Sequence, residues 1–435
     1  MPLELYSFVQ PKIYHASDHD IDPALIDADA VYVLKKLKEA GFLAYLVGGG
    51  VRDLLLKKVP KDFDISTSAR PEQIKQVFQR QCLVIGRRFR LAHVRFGHKI
   101  IEVSTFRAGE NDSDLIVQDN IWGSPEEDVL RRDFTINGLF YDPVTHTVID
   151  YVGGWNDIHN HLLRTIGDPA TRFRQDPVRM LRLLKFRARF GFEIQPQTMQ
   201  TLSKCSEEIV KSSPARILEE ILRMLESGAS APFFRLLSET GMLELLFPFL
   251  DHFLVGKHGE DVYNLLSIAD KINISLGKKT IDRAILTACL LFPIVERAIY
   301  SAYLKDQHIP HYGDIMTVTS SVIKGVLTTS FSNFPKRLSA EVGYILLTQY
   351  RLTPLNNKRQ QRARLFHNKE FDLALKFLKI RALANNELME IYEWWNHQKQ
   401  IAETHSEHHR QPHHPSSEHR EHHRHPHGHT QHGHS

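Results

Sequence analysis

Two aspartates one residue apart, Asp62 and Asp64, and a glutamate between apolar neighbours, Ile101-Glu102-Val103, are the side chains best placed to do chemistry. Lys61-Asp62-Phe63-Asp64 reads as a strand. Residues i and i+2 of a strand face the same side, so both carboxylates project together while Phe63 points into the core. Adjacent carboxylates repel unless a cation lies between them. Just upstream, Gly48-Gly49-Gly50-Val51-Arg52-Asp53 forms a glycine turn opening an apolar helix start. It matches neither a dinucleotide fingerprint nor a P-loop, since the last position is Asp53 and the lysine is missing. A glycine turn beside paired carboxylates suggests a phosphate held by backbone N–H groups and neutralised by Mg²⁺. The apolar flanks of Glu102 predict a partly buried carboxylate, which needs a cation or hydrogen bonds to stay ionised. Carboxylates clamping two metal ions are a recurring device for in-line phosphoryl transfer.

Arginines supply the complementary chemistry. Arg131-Arg132-Asp133-Phe134 offers planar donors for phosphate and ribose oxygens, and Asp133 could orient an arginine or approach a metal. The same run also fits a helix start with surface arginines. Asp176-Pro177 reads as an aspartate cap followed by proline at the first helical position. Arg179, three residues on, can reach the same face as Asp176, so a ligand contact is equally open. Arg172 to Arg189 holds seven basic residues and one acid, Asp176. A one-signed helix face beside a metal site suits triphosphate or RNA backbone. Lys358 to Arg364 is a second basic cluster, readable as an RNA track or as an exposed helix face.

The elements that must position these residues follow from periodicity. Asp27 to Ala40 reads as a helix ended by Gly41, and Leu43 to Val47 as a strand. Pro71 to Gln79 reads as a helix. Leu83–Ile85, Leu91–Phe96 and Lys99–Phe106 read as strands, with Gly97-His98 turning between the last two. Ala108 to Gly123 is a polar connection, and Val148 to Val152 is a last strand. From Pro177 to Gln398 the pattern is helical, without an internal repeat. The expected fold class is α+β: a mixed-sheet head followed by an all-α neck, body and tail. The boundaries are a flexible leader 1–26, a head 27–160, a helical neck 161–235, a helical body and tail 236–402, and a disordered end 403–435.

Composition is that of an ordinary soluble protein, 42% hydrophobic and 24% charged over 435 residues. A net charge of +4 permits a nucleic-acid partner without demanding one. Cys82, Cys205 and Cys289 have no metal-ligand or redox spacing, as for free thiols in a reducing cytosol. No signal-peptide pattern opens the chain. Ile285 to Val295, broken by Pro293, is too short to span a bilayer and reads as a buried helix. A cytoplasmic protein without a membrane partner is expected. Of the 26 histidines, 13 lie between His405 and His434, in a segment with no aliphatic or aromatic residue, which predicts disorder. Near pH 6 that segment turns cationic and could attract RNA; its neutral imidazoles could also collect Zn²⁺ or Ni²⁺.

Four motifs stand in order: Leu46-Val47-Gly48-Gly49-Gly50-Val51-Arg52-Asp53, Lys61-Asp62-Phe63-Asp64, Arg131 to Asn137 and Asp176 to Arg182. Together they resemble the DNA polymerase β-type nucleotidyltransferase superfamily, in its bacterial branch of CCA-adding enzymes and poly(A) polymerases. The resemblance implies a nucleotidyltransferase head, with Asp62, Asp64 and Asp133 as catalytic acids and two Mg²⁺ ions on Asp62, Asp64 and Glu102. It implies ATP contacts from Gly49, Gly50, Arg52, Asp53, Arg131, Arg132, Asp176 and Arg179, the last two reading the base in place of a template. Gln175 departs from the family pattern, which has Glu there, so a charge-based role at 175 is not carried over. Val84 to Val94 and the run ending Tyr392-Glu393-Trp394-Trp395 resemble poly(A) polymerases, and no H…HD…D phosphohydrolase pattern occurs. The expected reaction is therefore addition of AMP from ATP to an RNA 3′ end. CCA addition to tRNA is the alternative within the family, and an inactive RNA-binding protein is the alternative outside it. Nothing in the sequence identifies a protein partner.

Overall fold

A computed structural model describes residues 10–86, 90–109, 121–277, 279–331, 333–355, 365–366 and 368–408. Eight strands form one sheet: β1 (Lys12–Tyr14), β2 (Ala44–Val47), β3 (Asp64–Thr67), β4 (Cys82–Ile85), β5 (Leu91–Phe96), β6 (Lys99–Thr105), β7 (Leu139–Asp142) and β8 (Thr147–Asp150). Their order is β1-β8-β7-β2-β3-β6-β5-β4. β3 and β6 pair in parallel and the other neighbours antiparallel, so the sheet is mixed, as expected. A parallel pair needs a crossover. Here the chain between β3 and β6 passes through a helix, the edge strand β4 and its neighbour β5.

The head contributes α1 (Ala28–Glu39), α2 (Gly49–Leu55), α3 (Pro71–Phe78), α4 (Pro125–Leu130) and α5 (Gly154–His159). The neck follows with α6 (Pro169–Gln175), α7 (Val178–Phe190), α8 (Pro196–Cys205) and α9 (Pro214–Leu225). Beyond them run α10 (Ser230–Glu239), α11 (Met242–Leu246), α12 (Pro248–Val255), α13 (Gly259–Leu276), α14 (Arg283–Ala302), α15 (Tyr312–Ile323), α16 (Lys336–Leu352), α17 (Phe371–Ala384) and α18 (Met389–His408). One continuous core joins the helix-covered face of the sheet to the helical remainder through Phe134, Leu139, Phe173, Leu181 and Leu184. Val47, Phe106, Val129, Phe140 and Ile166 form a smaller core on the opposite side.

Four departures from the expected elements have simple causes. β1 lies inside the expected flexible leader and is fixed by antiparallel pairing to β8. β7 escaped notice because Leu139, Phe140 and Tyr141 are all fully buried, which removes the alternation of a half-buried strand. Pro293 does not end α14, which runs through it, apolar enough to cross a membrane by length and composition but mostly buried inside the fold. α18 continues to His408, past the expected start of the disordered end. Arg87-Arg88-Phe89, residues 110–120, the basic cluster 358–364 and the histidine-rich stretch 409–435 lie outside the described residues.

Candidate active site

The acids come together on one face of three neighbouring strands. Asp64 opens β3, and Asp62 lies just before the strand rather than within it. Phe63, between them, is buried as expected. The parallel register Ile65↔Val103 sets Asp64 beside Glu102, and the antiparallel register sets His93 of β5 opposite Glu102. His93 Nε2 lies 3.7 Å from Glu102 Oε2. These side chains line a cleft of ≈ 560 Å³ with Asp62, Lys61, Asp27 and Lys99. Glu102, expected to be partly buried, has a side chain that is 48% exposed. Strand alternation sends Ile101 and Val103 to the buried face and leaves Glu102 on the cleft face.

The charge in this cleft is poorly compensated. Burial, then Glu102, then Asp62 push the Asp64 carboxyl up to about 6, against the pull of Arg132. Lys99 does not relieve it, because its ammonium is bound to Asp27 and Asp29. Among the described residues no three His, Cys, Asp or Glu side chains form a ready cage for a metal ion. Mg²⁺ rarely needs one: it is bound through one or two carboxylates with the remaining positions filled by water and substrate phosphates. An exposed edge of oxygen donors with one carboxyl driven toward protonation fits such an ion.

The glycine turn is packed against this edge. Gly48 has φ +67, open to glycine at little cost, and a Cβ there would lie 3.3 Å from Arg132 Nη1. A Cβ on Gly50 would lie 3.3 Å from the backbone carbonyl of Asp62, so glycine lets the acid-bearing segment approach α2. Arg132 donates from Nη2 to Asp128 (2.8 Å) and Ser66 Oγ (3.4 Å). Ser66 is two residues from Asp64 and shares its face, which brings Arg132 beside the strand that carries Asp64. The buried Arg132 Nε has no partner among the described residues. Arg131 turns to Asp128, 4.0 Å away, and burial with neighbouring arginines lowers its pKa.

Arg52 and Asp53, expected to contact ATP, are both buried and bonded to each other. Arg52 is 4% exposed and donates to Asp53 Oδ1 from Nε (2.9 Å) and Nη2 (2.7 Å), and to Asn137 Oδ1 from Nη1 (2.7 Å). Its guanidinium stacks on Phe190, 4.6 Å from the ring centre. Asp53 also faces Arg189 at 3.5 Å. The contacts continue to Asp133, whose Oδ1 accepts from Asn137 Nδ2 (3.0 Å) and from the Phe134 amide (2.8 Å). Arg182 approaches Asp133 at 3.8 Å and donates to Glu220 at 2.8 Å. Asp133 is therefore not among the residues lining the cleft of Asp62, Asp64 and Glu102.

At the neck, Asp176 does not cap the start of α7; it is the C-cap residue of α6. α7 starts at Val178 with Pro177 as its cap residue, and no side chain bonds its first turn. Asp176 Oδ2 accepts from Arg216 of α9 (2.8 Å), while Oδ1 is buried without a partner. Arg179 donates to the carbonyls of Arg172 (3.0 Å) and Arg131 (3.5 Å). Burial and Arg172 lower its pKa to about 10, against the opposing pull of Asp176 and Asp133. An open carboxylate oxygen near a partly desolvated guanidinium can accept from and donate to one heteroaromatic edge.

Of the seven bases in the run 172–189, four meet acids that lie outside the run. Arg182 and Lys185 bind Glu220, Arg187 binds Glu193, and Arg189 faces Asp53. His93, Asn137, Arg216 and Glu220 were absent from the sequence-level site. Only His93 had a usable signal: a two-residue Gly97-His98 turn pairs Phe96 with Lys99 and so His93 with Glu102.

Three comparisons bear on this geometry. The family model described as "Poly A polymerase head domain" matches residues 44–164, that of a "probable RNA and SrmB-binding site of polymerase A" residues 191–254, and that of a "polymerase A arginine-rich C-terminus" residues 318–429. Poly(A) polymerase I of Haemophilus influenzae is 34% identical over 406 residues, 88% of this chain and 87% of that one. A CCA-adding enzyme of Lactobacillus johnsonii is 37% identical over 217 residues, 49% of this chain and 54% of that one. Among solved structures, the Bacillus stearothermophilus CCA-adding enzyme in complex with CTP shares the fold, with a TM-score of 0.57 and 24% identity over 86% of this chain and 82% of that one.

Proposed function

The chain belongs to the bacterial poly(A) polymerase branch of the tRNA nucleotidyltransferase/poly(A) polymerase family, and we propose that it adds AMP from ATP to RNA 3′ ends without a template, in the cytoplasm. It is a polynucleotide adenylyltransferase. The observation that carries the mechanism is the uncompensated carboxylate edge, Asp64 beside Glu102 with Asp62 adjacent, against the glycine turn.

Asp62, Asp64 and Glu102 would hold divalent metal, two Mg²⁺ ions in this reading. Bound metal there neutralises charge on the triphosphate and lowers the pKa of the attacking 3′-hydroxyl. The residues of the chain do the positioning. Gly49 and Gly50 open α2, where the first N–H groups of a helix have no intrahelical partner and suit phosphate oxygens. Arg132 adds a guanidinium with an open Nε. Arg52 and Asp53 act one step back, bracing Asn137 and through it Asp133, so that the turn carrying Arg131 and Arg132 keeps its shape. Asp176 Oδ1 offers an acceptor for the N6 amino group of adenine, and Arg179 a donor for a ring nitrogen.

CCA addition is the competing reading. The CCA-adding relative matches half of this chain, whereas the poly(A) polymerase match runs on through the helical part. The test is to incubate the protein with a generic RNA and with tRNA lacking its CCA end, supplying ATP or CTP, and to size the products. A long adenylate ladder on generic RNA is expected. Extension confined to the tRNA, with CTP used as readily as ATP, overturns the reading. Absence of pyrophosphate release with either RNA leaves a binding protein.

A further inference from the structure

His93 has no part in the mechanism above, yet it completes the row of polar side chains across the sheet. Asp64, Glu102 and His93 sit on the adjacent strands β3, β6 and β5, with Glu102 in the middle. Directly opposed residues of an antiparallel pair have Cβ atoms roughly 4.5–5.5 Å apart, so their side chains meet whatever the loops do. The imidazole is 19% exposed and its Nε2 faces the Glu102 carboxylate at 3.7 Å. His93 also lines the same cleft. Of the two lysines lining the cleft, Lys61 and Lys99, the second is held by Asp27 and Asp29. Glu102 is a long, half-exposed side chain on an open sheet face, and a carboxylate that must meet a ligand in one orientation needs a partner to hold it.

We propose that His93 is a positioning residue for transfer: it orients Glu102 from the side opposite Asp64. Groups that hold a ligating carboxylate are worth roughly 10–100-fold in metal affinity or activity when removed. Asp64 and Asp62 lie on the other side of Glu102 and repel it, so the imidazole is the partner that the carboxylate meets on the side away from them. The inference rests on the proposed function, since it gives Glu102 a ligand to meet.

The test uses the full chain and the variants His93→Ala, His93→Gln and Glu102→Gln, with His93→Ala repeated on the Glu102→Gln background. Turnover is measured with ATP and RNA primer. Mn²⁺ binding without RNA is read by the electron-spin resonance of the free ion, and thermal unfolding checks the fold. His93→Ala is expected to lower kcat about tenfold at a nearly unchanged ATP KM, and to weaken Mn²⁺ binding by a similar factor. His93→Gln, which keeps a donor, should recover most of both. On the Glu102→Gln background the alanine change should cost nothing further, because coupled residues are not additive. Wild-type kcat and Mn²⁺ affinity in His93→Ala overturn the inference, as does an undiminished effect of His93→Ala on the Glu102→Gln background. If Asp64→Asn abolishes turnover while His93→Ala is neutral, only this inference fails. If Asp64→Asn turns over normally, the proposed site itself fails.

Discussion

Asp53 and Asp64 belong to one short run of sequence and meet opposite fates. Asp53 is buried, bonded twice by Arg52 and faced by Arg189. Asp64 stands on the edge of an open cleft between two other acids, with Arg132 its one opposing influence, and its carboxyl is pushed up to about 6. At the head–neck junction the acids Asp133 and Glu220 are matched: Asp133 has Asn137 and Arg182, and Glu220 has Arg182 and Lys185. A matched buried pair supports a shape, because removing one partner strands the other charge. An unmatched, accessible set contributes little to shape and is free to meet a cation from solution. The contrast separates residues that hold the site from those that meet the reactants.

The largest expected effect tests the unmatched side. Asp64→Asn or Asp62→Asn should slow AMP addition on the order of 10³-fold, since losing a metal ligand removes several kcal/mol of transition-state stabilisation. The unfolding temperature in metal-free buffer at pH 8 should not fall for Asp64→Asn, because the substitution removes repulsion. A thermal-shift scan checks this second half, and a clear loss of stability would place Asp64 among the structural acids.

Next comes the matched side. Arg52→Ala should destabilise the fold by about 3 kcal/mol, the cost of stranding a buried carboxylate and losing a stacked guanidinium. Arg52→Lys should restore only part, since an ammonium cannot bond Asp53 and Asn137 in one fork. Denaturant unfolding measures it. An unchanged unfolding midpoint with a raised ATP KM would return Arg52 to the triphosphate.

Arg179 stands between the two classes, partly desolvated but beside an open acceptor. Arg179→Ala should lower the ATP-over-CTP preference in kcat/KM by roughly 10–100-fold, the discrimination of one good base contact. Equal loss for both nucleotides would make it a purely structural residue.

The smallest effect concerns Glu220. Burial raises its pKa, but Lys185 and Arg182 outweigh burial and leave it below the usual value. A lowered acid contributes stability above its unfolded pKa, near 4.3, and loses it as the pH falls through the folded value. Glu220→Gln should therefore cost about 1–2 kcal/mol at neutral pH, with a gap to wild type that starts to narrow as the pH falls below the unfolded value and closes only past the folded one. Unfolding curves from pH 7 downward through the acid range decide it; a gap that does not narrow at all in acid places the effect outside the charge.

Local pattern determined much of this protein. The period-2 alternation around Phe63, the two-residue turn at Gly97-His98 and the helix Asp27 to Ala40 could be read directly, because each depends on neighbours in the chain. The same alternation in Ile101-Glu102-Val103 puts Glu102 on the open face between two buried neighbours. What tertiary structure alone decided is which charges are answered. The basic run 172–189 has one acid of its own, yet Glu220, Glu193 and Asp53 arrive from other elements to pair with it. Asp176-Pro177 has the pattern of a helix start, yet α7 begins after Pro177 and Arg216 reaches Asp176 from α9. Helix and strand periods are set by short-range geometry and leave their mark in sequence spacing. Charge pairing acts through space over a few ångströms, and residues that close can be any number of positions apart.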